Sequence, residues 1–179
     1  MNRNKTKTIV FVAIFGAIFY LLSKYGTIKI SSSVKFTFQN LPLYVSGILF
    51  GDIVSATVGT IGMLLSQIYS EYGLTVTTVL WILPYTVAGL LTGRLYAMFK
   101  DKLANPIYMF LYLAFINLCI TFLNTIAQIV DALIFGYYSE QLIFGSIFIR
   151  ILNALLISIL YSIIVPLIAK ALKRINYFN

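Results

Sequence analysis

The chain has 179 residues, of which 60% are hydrophobic and 10% are charged, and its mean hydropathy is +0.95. A soluble domain of this length needs far more polar surface around its core, so the composition excludes an ordinary soluble protein. The apolar runs have the length of helices rather than the alternating pattern of barrel strands. We therefore predict an all-α membrane protein whose residues 1–179 form one compact integral-membrane domain.

Six apolar runs follow one another along the chain, and we predict that each forms a transmembrane helix. The runs cover residues 8–25, 41–50, 53–69, 76–99, 106–135 and 142–172. Six crossings bring both termini and most basic residues to the same side, whereas five would divide the basic residues between the two sides. The positive-inside rule therefore favours six spans with cytoplasmic termini. This topology explains the net charge of +8 without a nucleic-acid partner.

Local turn and capping signals support these boundaries. Asp52 marks a predicted tight cytoplasmic turn between the second and third runs. Asn40 and Asn105 are predicted N-caps for helices that open with Pro42 and Pro106. The basic N-terminus precedes an apolar run without a small-residue cleavage site, so we interpret that run as a retained first span.

Two of the predicted helices carry a face of small residues. In the first helix these are Ala13, Gly16 and Ala17, and in the third they are Ser55, Gly59, Gly62 and Ser66. Such faces let helix backbones approach closely in lipid. For the third helix we favour packing inside the bundle. For the first, spacing alone leaves internal packing and a partner interface both open.

The fifth run carries a stripe of polar residues within an otherwise apolar helix. Its members are Asn117, Thr121, Asn124, Gln128 and Asp131. Their spacing of four, three, four and three residues places all of them on one helical face. Polar groups inside a membrane are expensive and point to a functional site, although amides also join helices to each other.

The predicted topology gathers further polar and aromatic residues with this stripe in the outer half of the last three helices, and the external loops add Gln39. The candidate substrate-binding residues are Gln39, Thr78, Trp81, Tyr85, Asn124, Gln128, Asp131 and Arg150. Rings for stacking, amides for heterocycle edges and an arginine for a carboxylate suit a flat, polar, anionic small molecule. In the alternative interpretation, Arg150 pairs with Asp131 or Glu140, and the aromatic residues are interfacial anchors.

Enzymatic function is not expected from this chain. It contains no histidine, which most intramembrane metalloproteases and lipid phosphatases need, and no P-loop. The single cysteine, Cys119, cannot form an internal disulfide, and we interpret it as a core residue. We expect no cofactor and no metal site, and any ATP hydrolysis must occur in partner subunits.

The stretch "FTFQNLPLYVSGILFGDIVSATVGTIGMLL", residues 36–65, resembles the substrate-binding S components of energy-coupling factor (ECF) vitamin transporters. The stretches "TTVLWILPYTVAGLLTGRLY" and "DALIFGYYSEQLIFGSIFIRILNALL", residues 77–96 and 131–156, are similar to the folate-type branch of that family. The resemblance covers nearly the whole chain. One departure is Asp52, which stands where the family usually has proline after "FG".

The resemblance implies a binding subunit in a bacterial plasma membrane. It implies that the chain binds a water-soluble vitamin, folate first of all, from outside, and then associates with a transmembrane coupling subunit and two cytoplasmic ATPases. It also implies that Ala13 and Ala17, with Gly16 beside them, contact the coupling subunit. The alternatives are an S component for another vitamin and a self-sufficient secondary transporter, which would transport substrate without the ATPases.

Overall fold

A computed structural model describes residues 3–29, 35–145 and 147–174 of the chain. The helices in this part of the chain are α1 (Arg3–Tyr25), α2 (Leu41–Phe50), α3 (Asp52–Ile68), α4 (Thr78–Phe99), α5 (Pro106–Phe135), α6 (Glu140–Phe144) and α7 (Ile147–Arg174). Lys102–Ala104 form one turn of 3-10 helix, and the short strands β1 (Thr27–Lys29) and β2 (Lys35–Thr37) pair antiparallel. The predicted all-α fold is confirmed, with this small hairpin as an addition.

Within the described residues, four helices are long and apolar enough to cross a membrane. The qualifying segments are Thr6–Tyr25, Thr78–Phe99, Pro106–Phe135 and Ile147–Arg174. The helices α2 and α3 are shorter, with 10 and 17 residues. The structure therefore supports an integral-membrane protein, while the count of six crossings stays a prediction.

The run of residues 142–172, predicted as the sixth span, is not one continuous helix in the structure. The structure divides this run into the short helix α6 and the long helix α7. The backbone N–H of Gly145 donates to the carbonyl of Gln141 and closes the last turn of α6. Because α7 begins at Ile147, Arg150 lies in its first turn.

Several helix ends meet at one end of the bundle. The ring of Phe11, early in α1, stacks on Phe50 at the end of α2 with the centroids 4.9 Å apart. The α2–α3 turn lies against Gly93, near the end of α4. The ammonium of Lys173 lies 5.8 Å from the ring centroid of Tyr96, which joins the last turn of α7 to α4. The two terminal helices therefore share one end, which we call the basic end.

The small-residue face of α3 packs inside the bundle. Ser55, Gly59 and Gly62 are all buried. A Cβ atom on Gly59 would lie 2.5 Å from the Tyr85 carbonyl oxygen, and one on Gly62 would lie 2.6 Å from the Phe19 ring. Only glycine permits these approaches, so this face closes α3 onto α1 and α4.

The turn between α2 and α3 consists of a single residue, Gly51. Its φ angle of +90° lies in a region that L side chains rarely adopt, so the tight turn requires glycine. Asp52 begins α3 directly, and its Oδ1 accepts a hydrogen bond from the Ile53 N–H at 2.9 Å. The predicted turn is thus present, and Asp52 is compatible with it in place of the usual proline.

The two predicted N-caps behave differently. Asn105 caps α5, because its side-chain oxygen accepts from the Ile107 N–H at 2.9 Å. Asn40 occupies the N-cap position of α2, as predicted, but its side chain makes no capping hydrogen bond. Its Nδ2 donates instead to Asn117 Oδ1 at 3.4 Å, because this end of α2 is buried against α5.

The segment between β2 and α2 lies within the helix bundle. The Tyr161 hydroxyl of α7 donates to the Thr37 carbonyl at 2.8 Å. One turn into α2, the buried ring of Tyr44 packs edge-on against Tyr161, with centroids 5.2 Å apart. The short helix α2 therefore begins inside the bundle, and the adjoining Gln39 and Asn40 side chains lie within reach of α4 and α5.

Candidate functional site

The inner part of the polar stripe on α5 is a hydrogen-bonded junction. Asn117 Oδ1 accepts from the Tyr44 hydroxyl at 2.5 Å, and Asn117 Nδ2 donates to Ser158 Oγ at 2.8 Å. The Thr121 hydroxyl bonds back to the Asn117 carbonyl at 2.9 Å. Asn117 is only 4% exposed and joins α2, α5 and α7, so its role here is helix packing.

Two turns further along α5, Asn124 belongs to a second group of polar side chains. Gln39 Nε2 donates to the Tyr85 hydroxyl at 2.7 Å, and the Asn124 side chain lies within hydrogen-bonding reach of the same hydroxyl. These three residues come from three separate parts of the chain. All were predicted as substrate-binding residues, and the fold brings them together.

Two side-chain oxygens in this region are buried without a hydrogen-bond donor. They are Asn124 Oδ1 and Asn40 Oδ1, as judged against the described residues. A buried acceptor left unpaired costs about 1 to 3 kcal/mol, so native proteins rarely tolerate two of them in one region. The arrangement therefore offers two acceptors to a bound molecule that carries N–H or O–H donors.

Gln128 and Arg150 connect α5 to α7. An Arg150 guanidinium N–H donates to Gln128 Oε1 at 2.5 Å. Arg150 thus contacts an amide, whereas the carboxylate of Asp131 accepts its hydrogen bonds from other residues. A guanidinium has five N–H donors, so this pairing leaves it the capacity to bind a further acceptor.

Asp131, at the outer end of the stripe, is held by three donors. The Thr77 and Tyr137 hydroxyls donate to its two carboxylate oxygens, and the Trp81 indole N–H donates at 3.4 Å. We call these residues the outer clasp. Because partial burial, the hydrogen bond to Asp131 and the nearby negative charge all favour the neutral phenol, the pKa of Tyr137 rises to about 12. The clasp fastens the start of α4 to the segment after α5, so a ligand would have to displace these donors to reach Asp131.

Thr78 follows Thr77 of the outer clasp in the chain but bonds to the preceding loop rather than to Asp131. Its hydroxyl oxygen accepts from the Thr75 backbone N–H at 2.8 Å, and its side chain is buried at the start of α4. It therefore shapes the loop between α3 and α4. Trp81, one turn later, is committed to the outer clasp through its indole N–H, although its ring remains partly exposed.

The sequence interpretation missed the buried role of Asn40 and the contribution of Tyr44. Both lie on one helical face, because they are four residues apart across the start of α2. Asn40 precedes a Leu-Pro pair, which is typical of a helix N-cap. That local pattern predicted an exposed capping residue, so the buried position of Asn40 was not expected. An i, i+4 pair of polar residues at the start of an apolar helix was the available clue.

The small residues of α1 do not share one environment. Ala13 and Ala17 are exposed, whereas Gly16 is buried. A Cβ atom on Gly16 would lie 3.2 Å from Ile61 Cγ2, so Gly16 faces α3. The assignment of Gly16 to a partner interface is therefore wrong, because it packs α1 inside the chain, and the predicted partner face consists of Ala13 and Ala17.

Comparison with known proteins adds a family assignment to this geometry. The family model described as "ECF-type riboflavin transporter, S component" matches residues 3–174. No solved structure matches the chain. The family that matches is the riboflavin type, so the folate-type branch inferred from the sequence is not supported. Because the match spans nearly the whole described chain, this protein belongs to the S-component family of ECF-type riboflavin transporters and is a vitamin-binding subunit that works with ECF transmembrane and ATPase partners.

Proposed function

We propose that the chain binds riboflavin in the bundle interior beside Asn40, Tyr85 and Asn124, and that it delivers the vitamin to the cytoplasm of a bacterium through its ECF partners. The observation that carries this proposal is the pair of buried, unpaired oxygens, Asn40 Oδ1 and Asn124 Oδ1. Riboflavin has a ring N–H and a chain of hydroxyl groups, and both kinds of donor would satisfy such acceptors.

Ring stacking would supply the rest of the recognition. The isoalloxazine ring of riboflavin is flat, and aromatic side chains bind flat rings by offset stacking or edge contacts. Tyr85 is 6% exposed, and its ring already packs edge-on against Phe19 with the centroids 5.5 Å apart. Trp81 lies one turn from Tyr85 on α4 towards the outer clasp, so the two rings define one side of the proposed site.

The outer clasp is well placed to close this site. It joins the start of α4, through Thr77 and Trp81, to the segment after α5, through Tyr137. We assign Asp131 to this positioning role rather than to direct contact with the vitamin. Thr78 supports the same loop through its bond to Thr75.

Folate is the second candidate, and Arg150 is the observation that favours it. Folate carries a glutamate whose carboxylates suit a guanidinium. Within the described residues Arg150 bonds to an amide, so it retains donors for an anion. Riboflavin is uncharged and does not require a guanidinium, so only folate binding should depend on Arg150.

Binding measurements on the purified chain test the proposal. The protein in detergent should retain a flavin that mass spectrometry identifies, and titration of the vitamin-free protein should quench riboflavin fluorescence with one site per chain. Asn124→Ala should weaken this binding by about 1 to 3 kcal/mol, because a donor on the ligand loses its partner. Tight binding of folate with no binding of riboflavin would replace the first candidate by the second.

Transport assays separate a binding subunit from a self-sufficient transporter. Reconstituted alone in liposomes, the chain should not accumulate vitamin under an ion gradient. Addition of the coupling subunit, the ATPases and ATP should start accumulation. Sustained accumulation by the chain alone would contradict the proposed division of labour.

A further inference from the structure

The hydroxyl of Tyr161, on α7, holds the backbone of the segment that carries Asn40. It donates to the Thr37 carbonyl oxygen at 2.8 Å. The Asn40 backbone N–H lies within hydrogen-bonding reach of the same hydroxyl. One side chain therefore contacts both ends of residues 37–40, which connect β2 to α2.

The other backbone hydrogen bonds of this segment are local in the described part of the chain. The Leu41 N–H donates to the Phe38 carbonyl at 3.1 Å, and the Phe38 N–H donates to the carbonyl of Gly26, just after α1, at 3.1 Å. These bonds fix the shape of the segment and join it to the hairpin. The bond from Tyr161 is different, because it fixes the backbone of the segment against the long helix α7.

Tyr161 is itself held in place by its surroundings. It lies in the middle of α7, its side chain has no exposed surface, and its ring packs edge-on against Tyr44 of α2. The same tyrosine thus contacts the segment before α2 and the first turns of α2. Because its ring is enclosed and its hydroxyl is engaged, we assign Tyr161 no direct contact with the vitamin.

The position of this segment determines where the Asn40 side chain lies. Asn40 Oδ1 is one of the two buried acceptors that the proposed function assigns to the vitamin. A ligand that meets a preformed acceptor does not bear the entropy cost of ordering it. If the segment moved freely relative to α7, only a fraction of the molecules would present Asn40 correctly, and the apparent affinity would fall by that fraction.

We propose that Tyr161 is a positioning residue for vitamin binding, which holds Asn40 at the site through the backbone of residues 37–40. The inference rests on the proposed function, because it takes Asn40 as a contact of the vitamin. The anchoring of the segment by Tyr161 can nevertheless be measured without any vitamin.

Tyr112 provides a matched control for Tyr161. It is also a buried tyrosine whose hydroxyl donates to a backbone carbonyl, that of Thr92, at 2.7 Å. Thr92 lies beside Gly93 on α4, towards the basic end. Tyr112→Phe therefore removes the same kind of hydrogen bond away from the site. The two variants should lose similar thermal stability and should differ in their effect on the site.

Hydrogen exchange of the vitamin-free protein in detergent measures the anchoring. Tyr161→Phe should accelerate exchange of the backbone amides of residues 38–41 about tenfold, since one hydrogen bond of this kind contributes up to a factor of about ten. Tyr112→Phe should leave exchange in this segment unchanged. Peptide mass spectrometry locates the effect, and circular dichroism verifies that each variant is folded. Unchanged exchange of residues 38–41 in Tyr161→Phe would overturn the proposal, whichever vitamin the chain binds.

Binding titration measures the functional consequence. Tyr161→Phe should weaken riboflavin binding about tenfold, whereas Tyr112→Phe should weaken it by no more than about twofold. Asn40→Ala removes the acceptor that Tyr161 is proposed to position. In that background Tyr161→Phe should therefore have little further effect on binding, because the two residues act as one unit.

Two binding results would overturn the proposal. Equal weakening by Tyr161→Phe and Tyr112→Phe would reduce Tyr161 to a role in stability. An undiminished effect of Tyr161→Phe in the Asn40→Ala background would mean that Tyr161 does not act through Asn40. A parent protein that binds folate and not riboflavin would instead correct the proposed function, and the same titrations with folate would then decide the role of Tyr161.

Discussion

Asn117 and Asn124 lie seven residues apart on one face of α5, yet only Asn117 has partners for both ends of its amide. Asn117 bonds to Tyr44 and Ser158, whereas Asn124 Oδ1 is buried without a donor among the described residues. We therefore propose that the same residue type on the same helical face serves two different purposes. The first position contributes to folding, and the second is available to a ligand.

This difference predicts opposite effects of one substitution. Asn117→Ala should lower the free energy of unfolding by about 1 to 3 kcal/mol, because the Tyr44 hydroxyl and Ser158 lose a partner in the core. Asn124→Ala should lower the free energy of unfolding of the vitamin-free protein by less, since its oxygen has no bond to lose and the Tyr85 hydroxyl keeps its bond to Gln39, and it should weaken vitamin binding instead. Thermal unfolding and binding titration of both variants provide the measurement. Equal losses of stability in the two variants would contradict the assignment.

Arg150 distinguishes the two candidate vitamins. Arg150→Ala should weaken an anionic ligand such as folate by about 2 to 5 kcal/mol if the charge pair is desolvated. It should weaken uncharged riboflavin far less. Arg150→Lys should not restore folate binding fully, because an ammonium lacks the bidentate fork of a guanidinium. Calorimetric titration of both vitamins into each variant decides this.

The matched control for the Arg150 variants is a substitution of Gln128, which accepts a hydrogen bond from Arg150. Gln128→Ala removes the amide that accepts from Arg150 but keeps the charge, so folate binding should persist with at most a small loss. If Gln128→Ala and Arg150→Ala weaken folate equally, the effect comes from the bond between α5 and α7 rather than from the charge.

We predict that substitutions at the exposed alanines of α1 impair vitamin uptake without impairing vitamin binding. Ala13→Trp or Ala17→Trp should abolish uptake with the complete transporter, since a bulky side chain blocks the close approach of a partner helix. Both side chains are exposed, so vitamin binding by the isolated chain should survive. Leu152→Trp, on an exposed side of α7, is the control. Parallel loss of binding and uptake would mean that these alanines pack against their own chain.

The topology can be tested directly with single cysteines in a Cys119→Ser background. Cysteines at Lys100 and Lys173 should react only with reagents that enter the cytoplasm, and a cysteine at Glu71 should react from outside. The shared end of α4 and α7 in the structure agrees with a common side for the first two positions. Labelling of Lys100→Cys and Lys173→Cys from opposite sides would exclude six crossings.

Helix positions were predictable from the sequence because each span is a long apolar run that ends at proline, glycine or charge. The prediction for residues 106–135 coincides with α5, which begins after the Asn105 cap and ends at Gly136 in the left-handed conformation. The division between α6 and α7 was missed because apolar residues continue through it. A hydropathy profile averages over many residues, so it does not detect the end of a helix at a single glycine.

The stripe on α5 was predictable, but the partners of its members were not. Helical spacing places Asn117 and Asp131 on one face, and it carries no information about what packs against that face. The decisive contacts come from the buried segment before α2 and from the loop residues Thr77 and Tyr137. These are long-range contacts, which depend on the complete fold.

The outer clasp makes a final prediction about pH. Tyr137 has a pKa of about 12, above its ordinary value of 10.0, so the folded state holds the phenol proton more tightly than the unfolded state does. Its contribution to stability is therefore fully present below pH 10 and is lost as the pH rises through 12. Asp131→Asn should lower the pKa of Tyr137 towards the ordinary value, because the negative charge is gone while the partial burial remains. Ultraviolet titration of the parent and of Asp131→Asn, each compared with its own Tyr137→Phe derivative, isolates this one phenol. If Tyr137 ionises at the same pH in both proteins, the carboxylate of Asp131 does not hold it, and the clasp must be fastened by Thr77 and Trp81 alone.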